Sequence, residues 1–395
     1  MSVDFQQVRQ QVIEMGENAR ARERRLRQLR EKATETLEAY AHSLDPLRQR
    51  VEDAVSRNPN LRCALPVSEN LNAHFPLSAL PNSVTLLAAD GSQINPDRHA
   101  SVDYCLVNVG AIQMMLGSPA TPDRTVRSRL LYDDEMYTEN GRITERLVAL
   151  MRDLRERELL AELAEGLPLP IITLTDGPLE LWPGRESDPE AKEFEKRFKE
   201  YLAALRQLQI IGASTAGYID KPGSDLLVRL LEIANLPLSE LNKAGKERGF
   251  RPITDVELLQ PILGTHERSA VFGIQSRFVK RYADDLALHF FYLNVGKTTE
   301  DRSYLARVEI PAWVANSPQM LNDLHAILIH QCQTLGSRPY PYLLHRSHEV
   351  ALVSMDEKKQ VENMIAIELR KRGVAVGQDS NKQYQKDVSG QRTRY

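Results

Sequence analysis

Two aspartates in this 395-residue chain share a local setting. Asp90 closes the apolar run Leu86-Leu-Ala-Ala, Asp176 closes Ile171-Ile-Thr-Leu-Thr, and each is followed by glycine. A carboxylate at the end of a buried strand is held rigidly at the rim of a sheet, where α/β folds assemble their active sites. For either aspartate alone, an Asp-Gly turn after a strand is the simpler reading. Two of them in one domain favour a paired site. A helical pattern between them supplies a third acid. Glu156, Leu160 and Leu163 recur at i, i+4 and i+7 on a partly apolar face, whereas Glu158 aligns with Arg155, Glu162 and Glu165 on a solvated one. Glu156 is therefore preferred. Three converging carboxylates repel one another unless a cation neutralises them. Oxygen donors suit magnesium or manganese, and two such ions ~3.5–4 Å apart can clamp both oxygens of a phosphodiester displacement.

Near the other end lies Arg338-Pro-Tyr340-Pro-Tyr-Leu-Leu-His-Arg-Ser-His348-Glu. The two prolines predict an extended turn around Tyr340, and His348 leads into an apolar stretch. Spacing alone singles out neither residue. Lys221, Arg277, Lys280, Arg281, Arg338 and Arg346 are candidates for tracking a phosphate backbone, although each taken alone reads as a solvated surface charge. Lys221 is the strongest, because it follows the strand pattern of 210–219. Phosphate contacts would make binding fall steeply with salt, and Tyr218 or Tyr342 could stack bases without sequence preference.

The elements that must position these groups follow from periodicity. Residues 1–57 read as a helical, coiled-coil-like arm: Phe5, Val8, Val12 and Met15 begin a seam that resumes at Leu26, and Asp45-Pro46 marks a new helix start. Residues 58–83, with their prolines and asparagines, read as a linker. From 84 to 376, strand patterns alternate with helical ones, which predicts an α/β fold with helices flanking a sheet. The polar segment 377–395 reads as disordered. Basic and acidic residues nearly balance, 51 against 54, for a net charge of −3. That argues against a protein that coats DNA by charge alone and leaves a nucleic-acid enzyme open. No apolar run approaches the ~20 residues of a membrane helix. The polar start and three scattered cysteines predict neither a signal peptide nor disulfides, so a cytoplasmic protein is expected.

The sequence resembles the NurA nuclease family, whose core is RNase H-like. The resembling segments are Leu87-Ala-Ala-Asp90-Gly-Ser92, the helix from Glu156 to Gly166, and Ile172-Thr-Leu-Thr-Asp176-Gly-Pro-Leu179. Arg307-Val-Glu-Ile-Pro311-Ala-Trp and Tyr340-Pro through Ser347-His348 follow in the family's order. The resemblance implies a manganese-dependent nuclease, with magnesium as the other candidate ion. It would act on single-stranded DNA and DNA ends, as endonuclease and 5′-3′ exonuclease. It implies a HerA-type hexameric ATPase as partner in end resection and repair, and a homodimer. Asp90, Glu156 and Asp176 would be the metal carboxylates. Tyr340 and His348 would complete the catalytic set, with His348 a further ligand, and Lys221, Arg338 and Arg346 would face nucleic acid. Asp176-Gly-Pro stands where the family more often has Asp-Gly-Ser, and Ser347-His348 where Ala-His is commoner. A catalytically silent scaffold for such an ATPase, or an RNA-directed phosphodiesterase, are the competing readings.

Overall fold

The computed structural model describes residues 3–97, 102–182, 190–296, 304–336 and 338–374. The segment read as a disordered tail, 377–395, lies outside these. The chain divides into two compact units interleaved in sequence, one formed by 1–80 and 218–339, the other by 81–217 and 340–395. The second unit carries the predicted acids.

In that second unit, strands β1 (Val84–Ile94), β2 (Tyr104–Leu116) and β3 (Asp123–Tyr132) form an antiparallel meander. Helix α1 (Glu145–Ala164) leads to β4 (Ile171–Asp176), which pairs with β1 in parallel. Helix α2 (Ala191–Ile211) then leads to β5 (Ser214–Ile219) beside β4. The strand order β3-β2-β1-β4-β5 is the RNase H-like order. Helices α3 (Tyr342–Ala351) and α4 (Met355–Lys371) complete the unit.

Burial explains these choices. Val84 to Ala89 are buried without alternation, as expected of a central strand covered on both faces. Helix α1 starts where Thr144 caps the Leu147 amide at 3.3 Å, and it buries Leu147, Val148, Leu154, Leu160 and Ala164. Helix α2 packs on α1 and buries Phe194, Phe198 and Tyr201.

The first unit holds strands in the order Cys63–Pro66, Phe272–Gln275, Leu288–Asn294 and Leu305–Pro311, all antiparallel. The segment read as a linker thus contributes strands, Cys63–Pro66 and His74–Phe75. They are too short to show a period and sit among turn residues, which hid them. The arm is three helices, Phe5–Glu17, Ala19–Tyr40 and Leu44–Arg57, the last beginning one residue ahead of the Asp45-Pro46 start signal. Its later part folds onto the unit. Leu37, Leu47 and Val51 are buried, the Tyr40 hydroxyl donates to the Ala234 carbonyl at 3.0 Å, and Arg50 donates to that of Ile233 at 2.9 Å. Helix Phe5–Glu17 buries nothing. Among the described residues, no helix is long and apolar enough to cross a membrane.

Candidate active site

Register places the two aspartates side by side. Ala89 on β1 is opposite Thr175 on β4, and the next residue on each parallel strand is Asp90 and Asp176. Their two glycines serve different ends. Gly177 has φ of 88° and turns the chain away from the sheet, as an Asp-Gly turn should. Gly91 makes no turn: β1 runs on to Ile94, with Gly91 opposite Val109. It is needed for clearance. A Cβ at Gly91 would stand 2.7 Å from Glu156 Oε1 and 2.9 Å from Arg152 Cδ. Helix α1 therefore comes down on β1 beside Asp90, and glycine is what admits its side chains.

Glu156 is 6% exposed, on the sheet-facing side of α1. Glu158 turns outward and pairs with Arg155 at 2.6 Å. Burial pushes the Glu156 carboxyl well above the usual carboxylate range, and the charges of Asp153 and Asp90 push it further; Arg152 and Arg157 act in the opposite sense. The Asp90 carboxylate accepts the Gly91 amide through Oδ1 at 2.8 Å and His348 Nδ1 through Oδ2 at 2.7 Å. The extended turn expected around Tyr340 is followed directly by α3, which begins after Pro341, carries His348 and ends at Ala351. The fixed φ of proline suits a helix start as well as a turn. The end of that helix is pinned to the sheet: Ser92 Oγ donates to the Ala351 carbonyl at 2.6 Å and accepts the Val353 amide at 3.1 Å, and Asn108 Nδ2 donates to the same carbonyl at 2.7 Å. Ser128 holds Asn108 in turn at 2.6 Å.

Tyr340 is half-buried two residues ahead of α3. Arg346 is exposed on α3 and pairs with Glu349. Lys221, exposed with φ of 37°, and Arg338, also exposed, belong to the first unit. Sequence reasoning missed Arg152 altogether. Its guanidinium lies 3.6 Å from Glu156 Oε1 and donates to Asp153 at 2.7 Å through Nη2. Burial opposes the charge on Arg152, but Asp153, Glu156 and Asp90 outweigh it and raise its pKa. The i, i+4 spacing of Arg152 and Glu156 was the available signal.

In kind, the donors fit a hard divalent ion: carboxylates on a rigid rim and one buried acid with surplus negative charge around it. In arrangement Asp90 is engaged with His348 and Glu156 with Arg152, and among the described residues no group of three or more His, Cys, Asp or Glu is arranged to hold a metal.

The NurA domain model matches residues 84–353. The chain belongs to the NurA family. It is a nuclease by that membership, and the family implies a divalent metal. Among solved structures, it is similar to the NurA nuclease from Sulfolobus solfataricus at 12% identity, covering 85% of this chain and 98% of that one, with a TM-score of 0.47. Endonuclease V from Ciona intestinalis, in complex with a 24mer DNA, matches at 11% identity over 80% of this chain and 97% of that one, with a TM-score of 0.32. The human endonuclease V catalytic domain matches at 13%, over 82% and 98%, with a TM-score of 0.30. A search of curated protein sequences finds no significant match. The NurA model spans both units, so the motif-bearing unit is one part of what the family shares.

Proposed function

We propose that this NurA-family chain is a manganese-dependent deoxyribonuclease acting on single-stranded DNA and DNA ends, as endonuclease and 5′-3′ exonuclease. Asp90, Glu156 and Asp176 would hold the ion, with His348 as a further ligand and magnesium as the alternative metal. The observation that carries this reading is the meeting of Asp90 and Asp176 on paired strands beneath a buried Glu156. A bound divalent ion would neutralise these acids and act as a Lewis acid on the scissile phosphate. The chain's own groups do the rest. Asp90 orients the His348 ring through Nδ1, which leaves Nε2 to hold or pass a proton. Tyr340, ahead of the same helix, would orient the phosphate. Arg346, Arg338 and Lys221 would contact the backbone of the strand.

The partner reading follows from the family and from the arm. Phe5, Val8, Val12 and Met15 are all exposed along helix Phe5–Glu17, a stripe that normally finds a partner. A homodimer working with a HerA-type ATPase in cytoplasmic end resection and repair is the assembly this supports. The test is to incubate pure protein with end-labelled single-stranded DNA and RNA in manganese, magnesium or chelator. Metal-dependent cleavage of DNA supports the reading. Cleavage in chelator would overturn the metal assignment, and cleavage of RNA alone would overturn the substrate.

A further inference from the structure

Arg152 is the nearest cation to the buried acid, and its setting is built for it. Its stem lies against Gly91, where any side chain would collide with Arg152 Cδ at 2.9 Å and Glu156 Oε1 at 2.7 Å. Its guanidinium spans two acids of one helix turn, with Nε and Nη2 on Asp153 at 3.2 and 2.7 Å and Nε 3.6 Å from Glu156. Its side chain is one-third exposed, so it can leave this position without unpacking a core. Glu156, at 6% exposure, cannot. Without a countercharge, Glu156 would face Asp153 and Asp90 in a low-dielectric setting.

We infer that Arg152 is a positioning residue, an internal countercharge that clamps Glu156 beside Asp90 until a divalent cation takes its place. The inference rests on the metal reading proposed above. Arg152 and the cation compete for the same negative charge, so each weakens the hold of the other. A stand-in cation also keeps the acids from being pushed apart, and the site needs less rearrangement on loading.

The test uses the full chain without substrate: wild type, Arg152→Gln, Arg152→Lys, Glu156→Gln and the double variant Arg152→Gln/Glu156→Gln. Unfolding temperature is followed in chelator and across a manganese chloride titration. In chelator, Arg152→Gln is expected to unfold about 3 °C lower than wild type. The same change in the Glu156→Gln background should cost about 1 °C or less, because the clamped charge is gone. Arg152→Lys should recover most of the loss. In the titration, Arg152→Gln should bind manganese about 5-fold more tightly than wild type. Equal losses in both backgrounds would overturn the clamp, and equal or weaker manganese binding by Arg152→Gln would overturn the exchange. Failure of manganese to stabilise wild type and every variant would sink the metal reading and the exchange with it. The chelator comparison would still decide the clamp by itself.

Discussion

Both units bury acids, and they treat them differently. In the first unit, Asp255 is fully buried, and burial raises its pKa to about 6. Everything else around it works the other way: the Val228 amide and the Tyr292 hydroxyl each donate to it at 2.9 Å, with Leu227 and Arg307 assisting. Glu309 is held by Arg307, and Glu232 by Arg229 and by the Phe250 amide at 2.9 Å. These acids are saturated with donors, as structural buried charges must be. In the second unit, Glu156 is buried just as deeply, but Asp153 and Asp90 add to the penalty, and its ion pair to Arg152 is longer than a hydrogen bond. A buried acid with too little positive charge marks a site kept for a ligand, while a saturated one marks a brace.

Substitution should separate the two classes. Asp90→Asn and Asp176→Asn are expected to lower cleavage about 1000-fold or more while the protein stays folded, since several kcal/mol of charge stabilisation at the phosphate is lost. Cleavage rates with an unfolding curve on the same samples check this, and full activity in both variants would remove them from the site. Glu309→Ala should do the reverse. It strands Arg307 in the core and should cost about 3–5 kcal/mol of stability, measured by denaturant unfolding. A loss under about 1 kcal/mol would mean the brace is dispensable.

Much of the second unit was legible because its signals are local. The runs ending at Asp90 and Asp176 are short and mostly apolar, as strands buried on both faces require, and the face of α1 that carries Glu156 follows from a period of 3.6. Other features depended on distant contacts. The strand expected over 210–219 is helix as far as Ile211, and Gly212, with φ of 84°, ends it. Apolar Ile210-Ile211 suits either state, so only the glycine could have placed the boundary. Interleaving of the two units, the strands within 58–83 and the pairing of His348 with Asp90, 258 residues apart, leave no periodic trace. Gly91 was legible as special but for another reason than the turn expected of it.

A smaller effect is expected at that glycine. Gly91→Ala would push Arg152 and Glu156 off β1, at a cost of about 1–3 kcal/mol and with reduced cleavage. Unchanged stability would mean that α1 shifts freely. The smallest effect is in pH. Glu156 binds its proton more tightly in the folded protein than in the unfolded chain, where a value near ~4.3 is usual. Stability in chelator should therefore fall as pH rises from about 4 toward the raised folded value, and Glu156→Gln should flatten that slope. Asp255 contributes a decline of the same sign that ends near its value of about 6, so the share of Glu156 is read as the difference between wild type and Glu156→Gln.

The most direct test of the contrast is the unfolding temperature of Glu156→Gln against wild type, in chelator at neutral pH. If Glu156 is an acid held without enough countercharge, removing its charge should raise the unfolding temperature by about 2–4 °C. A fall of that size would show Glu156 to be a satisfied structural acid, and would contradict the account of this centre as a site kept open for a cation.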